Sequence, residues 1–221
     1  MKILIIILCI IILFILHFWY QIEFYTVMPM NDTIKLKYIR EFLTDDDCDY
    51  IIGLAEGNFA ASKVVIGTDK DIVADDRTSH TYFIHKGHND RIKAIEQKIC
   101  SYLSENIGNK DWYPLLEDLQ VVKYEVGQEF KQHHDWFQKE YLNKFGEKQR
   151  QYTMFVYLND VQNGGETIFP RLNEKVKPAK GNALFWENCT DVNNCHNDNL
   201  HQGTPPTAGI KYGLNVWVKF D

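Results

Sequence analysis

The chain has 221 residues, of which 45% are hydrophobic and 24% charged, with a formal net charge of −6. That is enough for one domain with a real core, and the composition is globular, not disordered. The acidic balance excludes a sequence-independent nucleic-acid binder, which needs a basic face to neutralise phosphates, so no nucleic-acid partner is expected.

From Ile3 to Leu16 every residue except Cys9 is strongly aliphatic or aromatic, and His17-Phe18-Trp19-Tyr20 follows. A bilayer core takes about 20 predominantly apolar residues, and Ile3 to about Ile22 supplies them. Trp19 and Tyr20 fall where an interfacial aromatic belt sits. Lys2 also makes the n-region of a cleaved signal peptide, but the apolar run is long for one and no small-residue cleavage site follows. Residues 1–22 are therefore expected as an uncleaved membrane anchor, 23–35 as a linker broken by Pro29, and 36–221 as the working domain. The expected location is a single-pass protein of the endoplasmic reticulum with a lumenal domain. Lys35, Lys37 and Arg40 after the span, against Lys2 before it, slightly favour the opposite orientation, so charge does not decide.

Thr44, followed by acidic residues including Asp47 three positions on, predicts a helix start, with Tyr50, Ile51, Leu54 and Ala55 on its buried face. Asn89 caps a second helix whose Ile92, Ile95, Ile99, Tyr102 and Leu103 recur at helical spacing before Gly108. After Trp112 the pattern turns to short strands: Leu119 to Glu125, Phe130 to Trp136, Tyr152 to Asn159, Asn182 to Trp186 and Tyr212 to Phe220. Asn163-Gly164-Gly165 makes a turn among them. In the last strand Tyr212, Leu214, Val216 and Val218 share one face, and Asn215, Trp217 and Lys219 the other. Abundant Phe, Tyr and Trp suit such a β-rich interior. The expected fold class is mainly β with supporting helices, a double-stranded β-helix or jelly roll.

Four cysteines lie beyond the apolar run, without a C-x-x-C pair, so a zinc ribbon is not expected. Cys189 and Cys195 enclose T-D-V-N-N; a disulfide and two free thiols fit the sequence equally well.

Within Lys131-Gln132-His133-His134-Asp135-Trp136, His133 and Asp135 stand two apart, so a strand directs both to one face and His134 to the other. An imidazole and a carboxylate are two parts of the facial triad that leaves open positions on non-haem iron(II), and His201 is the candidate third ligand. Zinc held by two His and one Asp is a second reading of the same residues, and an isolated His-x-Asp is more often a surface pair.

The flanking residues narrow this. Tyr124-Glu-Val-Gly127-Gln-Glu-Phe130 precedes His133-His-Asp135. Arg150-Gln-Tyr-Thr153 opens the next block, then Gly164-Gly165-Glu166-Thr167, Pro178-Ala-Lys-Gly181, and Leu200-His201-Gln-Gly203 through Lys211 to Trp217, with Arg77-Thr78-Ser79 upstream. In order, over about Leu36 to Phe220, these resemble the prolyl 4-hydroxylase family of iron(II)- and 2-oxoglutarate-dependent dioxygenases. The resemblance implies iron ligands His133, Asp135 and His201, and Lys211 on the distal carboxylate of 2-oxoglutarate. It implies Tyr124 and Thr153 lining the cosubstrate pocket, Trp217 as an aromatic wall, and Arg77 and Arg150 on the peptide-binding face. It also implies O2 and L-ascorbate as further requirements, release of succinate and CO2, and hydroxylation of proline in a collagen-like or proline-rich peptide. Two features depart from the family: the tail after Lys211, and the Asn188 to Asn199 loop with its two cysteines. A same-fold dioxygenase acting on lysine or a small molecule, and a non-catalytic peptide-binding module, are the alternative readings.

Overall fold

The computed structural model describes residues 25–66 and 69–221. In chain order the strands begin with β1 (Thr26–Asn31), β2 (Leu36–Arg40), β3 (Ala60–Ala61), β4 (Val64–Ile66), β5 (Asp69–Ile72) and β6 (His80–Ile84). There follow β7 (Leu119–Tyr124), β8 (Phe130–His133), β9 (Arg150–Tyr157), β10 (Asn163–Gly164), β11 (Thr167–Phe169) and β12 (Glu174–Val176). The series ends with β13 (Ala183–Glu187), β14 (Cys189–Asp191), β15 (Asn194–Cys195), β16 (His201–Gly203), β17 (Pro206–Ala208) and β18 (Lys211–Lys219). Helices are α1 (Asp45–Ala55), α2 (Asp90–Asn106) and α3 (Lys139–Phe145).

Two sheets face each other. The larger runs β1-β2-β13-β9-β18-β7-β6-β3 and the smaller β12-β11-β16-β8, with antiparallel pairings throughout. This is the expected jelly roll with supporting helices. Alternation along the long strands divides two cores. Leu119 and Val121 of β7, Met154 and Val156 of β9, and Leu214, Val216 and Val218 of β18 pack with α1 and α2. Val122 and Tyr124, Phe155 and Tyr157, and Leu184 and Trp186 turn to the smaller sheet, against Phe169 and Val176. Each fully buried large apolar side chain in these layers contributes on the order of 1.5–3 kcal/mol.

The two helix starts follow from their caps. Thr44 Oγ1 accepts from the Asp47 amide at 3.1 Å and donates to the Asp47 carboxylate at 2.8 Å. Asn89 Oδ1 accepts from the Ile92 amide at 3.0 Å, while its Nδ2 donates to Tyr50 Oη at 2.8 Å and ties α2 to α1. The short α3 ends on Gly146, whose φ of 65° gives the left-handed cap.

Three expectations change. The placement as a single-pass membrane protein is corrected: among the described residues no helix is long and apolar enough to cross a membrane. The longest of them, α2, has 17 residues and carries Arg91, Lys93, Glu96, Lys98 and Glu105. The apolar run Ile3 to Ile22, expected as the anchor, lies outside the described residues. The expected linker 23–35 contributes β1, which pairs with β2 from Thr26↔Arg40 to Asn31↔Leu36 and so joins the larger sheet. Finally, β8 stops at His133, leaving Asp135 in a bend beyond the strand. Cys189 and Cys195 form a disulfide that closes the β14–β15 hairpin.

Candidate active site

The antiparallel pairing of β8 with β16 sets His133 directly opposite His201. Their rings lie 4.2 Å apart, centroid to centroid. The bend after β8 swings the Asp135 carboxylate between them, 3.7 Å from His133 Nε2 and 3.9 Å from His201 Nε2. One potential ligand atom from each residue lies within 4.8 Å of the others. His134 points elsewhere, its Nε2 reaching the Asn197 carbonyl at 3.2 Å.

The imidazoles are oriented as ligands. His133 Nδ1 lies 2.7 Å from the Lys131 carbonyl and His201 Nδ1 2.9 Å from the Asn199 carbonyl. A carbonyl only accepts, so both Nδ1 atoms carry the proton, and both Nε2 atoms face the Asp135 carboxylate. Burial, and the neighbouring His201, hold His133 well below the ordinary histidine pKa and therefore neutral. Burial works against ionising Asp135, but His201, His133, Arg150 and the Thr153 hydroxyl outweigh it and keep the carboxyl at about 2. Two imidazole nitrogens and one anionic oxygen, on one side of a shared point, suit a divalent transition metal with open positions opposite.

A second feature lies two residues along β16. A Cβ built on Gly203 would stand 3.7 Å from Lys211 Nζ and 3.8 Å from Tyr124 Oη. Lys211 opens β18 opposite Tyr124 on β7 and is only 1% exposed. Its ammonium lies 5.3, 5.2 and 5.8 Å from the ring centroids of Tyr124, Phe155 and Tyr157. Burial pushes its pKa down to about 7. Among the described residues no carboxylate forms an ion pair with it, the nearby Glu166 being held by Lys175 at 3.0 Å, which leaves a buried amine in want of an anion. His201 and Gly203 share one strand face roughly 7 Å apart. A five-carbon dicarboxylate spans such a gap, with one end at the metal position and the other at Lys211.

The remaining expected residues have more particular positions. Thr153 is fully buried and donates from Oγ1 to Asp135 Oδ2 at 2.8 Å, so its hydroxyl proton is engaged at the triad. A further buried hydroxyl, Thr167, was not singled out in the sequence. It pairs with Gly203 across β11–β16 and accepts from Tyr157 Oη at 2.9 Å, keeping its own proton to donate. Only the non-local pairing to Gly203 reveals it. Trp217 is buried with its indole N–H unpartnered, and the Arg150 guanidinium lies 3.5 Å from its ring centroid. Arg150 is otherwise committed to Glu117 by two bonds of 2.8 and 2.9 Å. Arg77 is buried, donates to Gln120 Oε1 at 2.8 Å and lies 4.7 Å from the Phe130 centroid. Phe130 in turn stacks on His133 at 3.4 Å. Both arginines therefore brace aromatic walls beside the triad.

The chain is also similar to known proteins. The sequence profile described as "2OG-Fe(II) oxygenase superfamily" matches residues 119–219. A protein of Acanthamoeba polyphaga mimivirus named "Putative prolyl 4-hydroxylase" is 35% identical over 186 residues, which are 82% of this chain and 72% of that protein. "Prolyl 4-hydroxylase 5" of Arabidopsis thaliana is 33% identical over 198 residues, 80% of this chain and 65% of the plant protein. The crystal structure of a viral collagen prolyl hydroxylase from Paramecium Bursaria Chlorella virus-1, in complex with 2OG, superposes with a TM-score of 0.66 at 28% identity. It covers 84% of this chain and 96% of the viral one.

Proposed function

Because this chain belongs to the prolyl 4-hydroxylase family of iron(II)- and 2-oxoglutarate-dependent dioxygenases, we propose that it hydroxylates C4 of proline within a peptide. In this reading His133, Asp135 and His201 hold iron(II), and Lys211 with Tyr124 and Thr167 holds the distal carboxylate of 2-oxoglutarate. Iron and cosubstrate together supply the oxidising chemistry, consuming O2 and releasing succinate and CO2. The protein's own work is placement. The Lys131 and Asn199 carbonyls fix the imidazole tautomers, and Thr153 fixes the carboxylate. Lys211 takes up a proton as the dicarboxylate arrives, since a neutral amine pairs poorly with an anion. The unpartnered indole N–H of Trp217 is a donor left for a bound ligand.

The observation that carries this reading is β16, which has the metal position at His201 and the buried cation beside Gly203. A generic metal site has no need of Lys211. The working domain spans residues 36–221, with β1 completing its sheet. The peptide face is bounded by Phe130 and Trp217, braced by Arg77 and Arg150. A proline-rich or collagen-like substrate suits the pocket because a polyproline II segment is already ordered and loses less entropy on binding. L-Ascorbate would serve to return oxidised iron to the ferrous state. Succinate release with collagen-like, other proline-rich and lysine-containing peptides tests the proposal. Turnover confined to the lysine peptides would overturn the assignment to proline.

A further inference from the structure

The loop from Asn188 to Asn199 reaches the triad at both of its ends. Asn188 and Asn199 are both 0% exposed, although they bound a polar segment. Asn188 Nδ2 donates to Thr153 Oγ1 at 2.8 Å, and Thr153 Oγ1 donates to Asp135 Oδ2 at 2.8 Å. A threonine hydroxyl has one proton, and an amide nitrogen only donates. While Asn188 supplies a proton to Oγ1, the Thr153 proton has nowhere to go but the metal carboxylate. The orientation of the Asn188 amide is itself determined. Its Oδ1 accepts from Trp186 Nε1 at 3.0 Å and Asn199 Nδ2 at 3.3 Å, and a flipped amide would set donor against donor at both.

The other end of the loop holds His201, through the Asn199 carbonyl at 2.9 Å from Nδ1. The two ends are tied together, since Asn199 Nδ2 also reaches the Glu187 and Asn188 carbonyls at 3.3 Å. The His196 amide donates to the Asn188 carbonyl at 2.8 Å. Between them the Cys189–Cys195 disulfide closes the hairpin.

We infer that Asn188 is a positioning residue for Asp135, acting through Thr153, and that the Cys189–Cys195 hairpin holds Asn188 in register. The relay limits rotation of the carboxylate and so presents Asp135 to the metal in the geometry the two imidazoles require. This rests on the metal reading of the triad but not on the identity of the peptide.

The test is a Co(II) titration of the full chain, read by the ligand-field absorption of the bound ion, which requires no turnover. Asn188→Ala and Thr153→Val are each expected to weaken Co(II) binding about 10- to 100-fold and to change the ligand-field bands. Thr153→Ser, which keeps the hydroxyl, restores both. The double variant Cys189→Ser, Cys195→Ser is expected to move in the same direction by a smaller factor; an unchanged affinity would remove the hairpin from the proposal. Because the Asn188 amide also satisfies Trp186 and Asn199, Asn188→Ala can fail to fold, and then the Thr153 pair decides. Wild-type affinity and bands in folded Thr153→Val would overturn the relay. A wild-type protein that binds no Co(II) would overturn the metal reading instead.

Discussion

Lys211 makes a quantitative prediction about protons. Its amine is buried, and burial lowers its pKa from 10.5 to about 7. That difference corresponds to on the order of 5 kcal/mol against charging the empty pocket. In the unfolded chain the same amine titrates near its ordinary value. Between about pH 7 and 10.5 the unfolded state therefore binds more protons than the folded one. The ligand-free protein should gain stability as pH rises through that window and lose it as pH falls towards 7. At pH 8 an amine of pKa about 7 is roughly one-tenth protonated, so pairing with a carboxylate draws in ~0.9 proton; at pH 6 it draws in only ~0.1. The assay is anaerobic calorimetry of 2-oxoglutarate binding to the Mn(II)-loaded protein in buffers of different ionisation enthalpy. The slope of observed enthalpy against buffer enthalpy counts protons. Lys211→Met, which keeps the bulk and removes the charge, should show no slope attributable to this site. Its affinity should fall by about 2–5 kcal/mol, or roughly 30- to several-thousand-fold. A wild-type slope near zero at pH 8, or an unchanged affinity in Lys211→Met, would refute the assignment of the buried cation to the cosubstrate.

Other perturbations address the metal, the fold and the wall of the site. His133→Ala, Asp135→Ala and His201→Ala should each abolish tight Co(II) binding, whereas His134→Ala, whose ring turns to the Asn197 carbonyl, should retain it. Loss of metal in His134→Ala alone would show the register at β8 to be misread. Gly164 has φ of 76°, and a Cβ there would meet the Pro205 carbonyl oxygen at 2.5 Å and the Thr207 nitrogen at 2.9 Å. Gly164→Ala should therefore cost about 2 kcal/mol or more in urea unfolding, from left-handed strain plus backbone collision. Arg150→Lys loses the two-pronged bond to Glu117 and the contact over Trp217. It should destabilise by about 1–3 kcal/mol; equal midpoints for variant and wild type would mean that Arg150 is not the brace.

Much of this was legible where the signal is local. The Thr44 and Asn89 caps use side chains within three residues of the amides they satisfy, so sequence order is enough to find them. The two faces of β18 follow from strand alternation. The triad was readable, but part of its reasoning was not: Asp135 faces His133 through a bend, not through strand alternation. Thr153 and Thr167 look alike as strand threonines, and only the pairing of Thr167 with Gly203 sets it apart. Asn188 and Asn199 bound a polar loop, where side chains are usually exposed, yet both are buried and joined by a bond from Asn199 Nδ2 to Asn188 Oδ1. The short α3 was missed although Phe137, Tyr141 and Phe145 stand four apart with neighbouring rings 4.8 Å from one another, an aromatic stripe at helical spacing.

The central claim joins metal, cosubstrate and peptide in one reaction. Its most direct test supplies the iron-loaded protein with 2-oxoglutarate, a proline-rich peptide and isotopically labelled O2, then locates the label by tandem mass spectrometry. The expected result is one labelled oxygen on a prolyl C4 for each succinate formed, lost in His201→Ala. Succinate formed at the same rate without hydroxyproline on any proline-containing peptide, or label on another residue type, would contradict it.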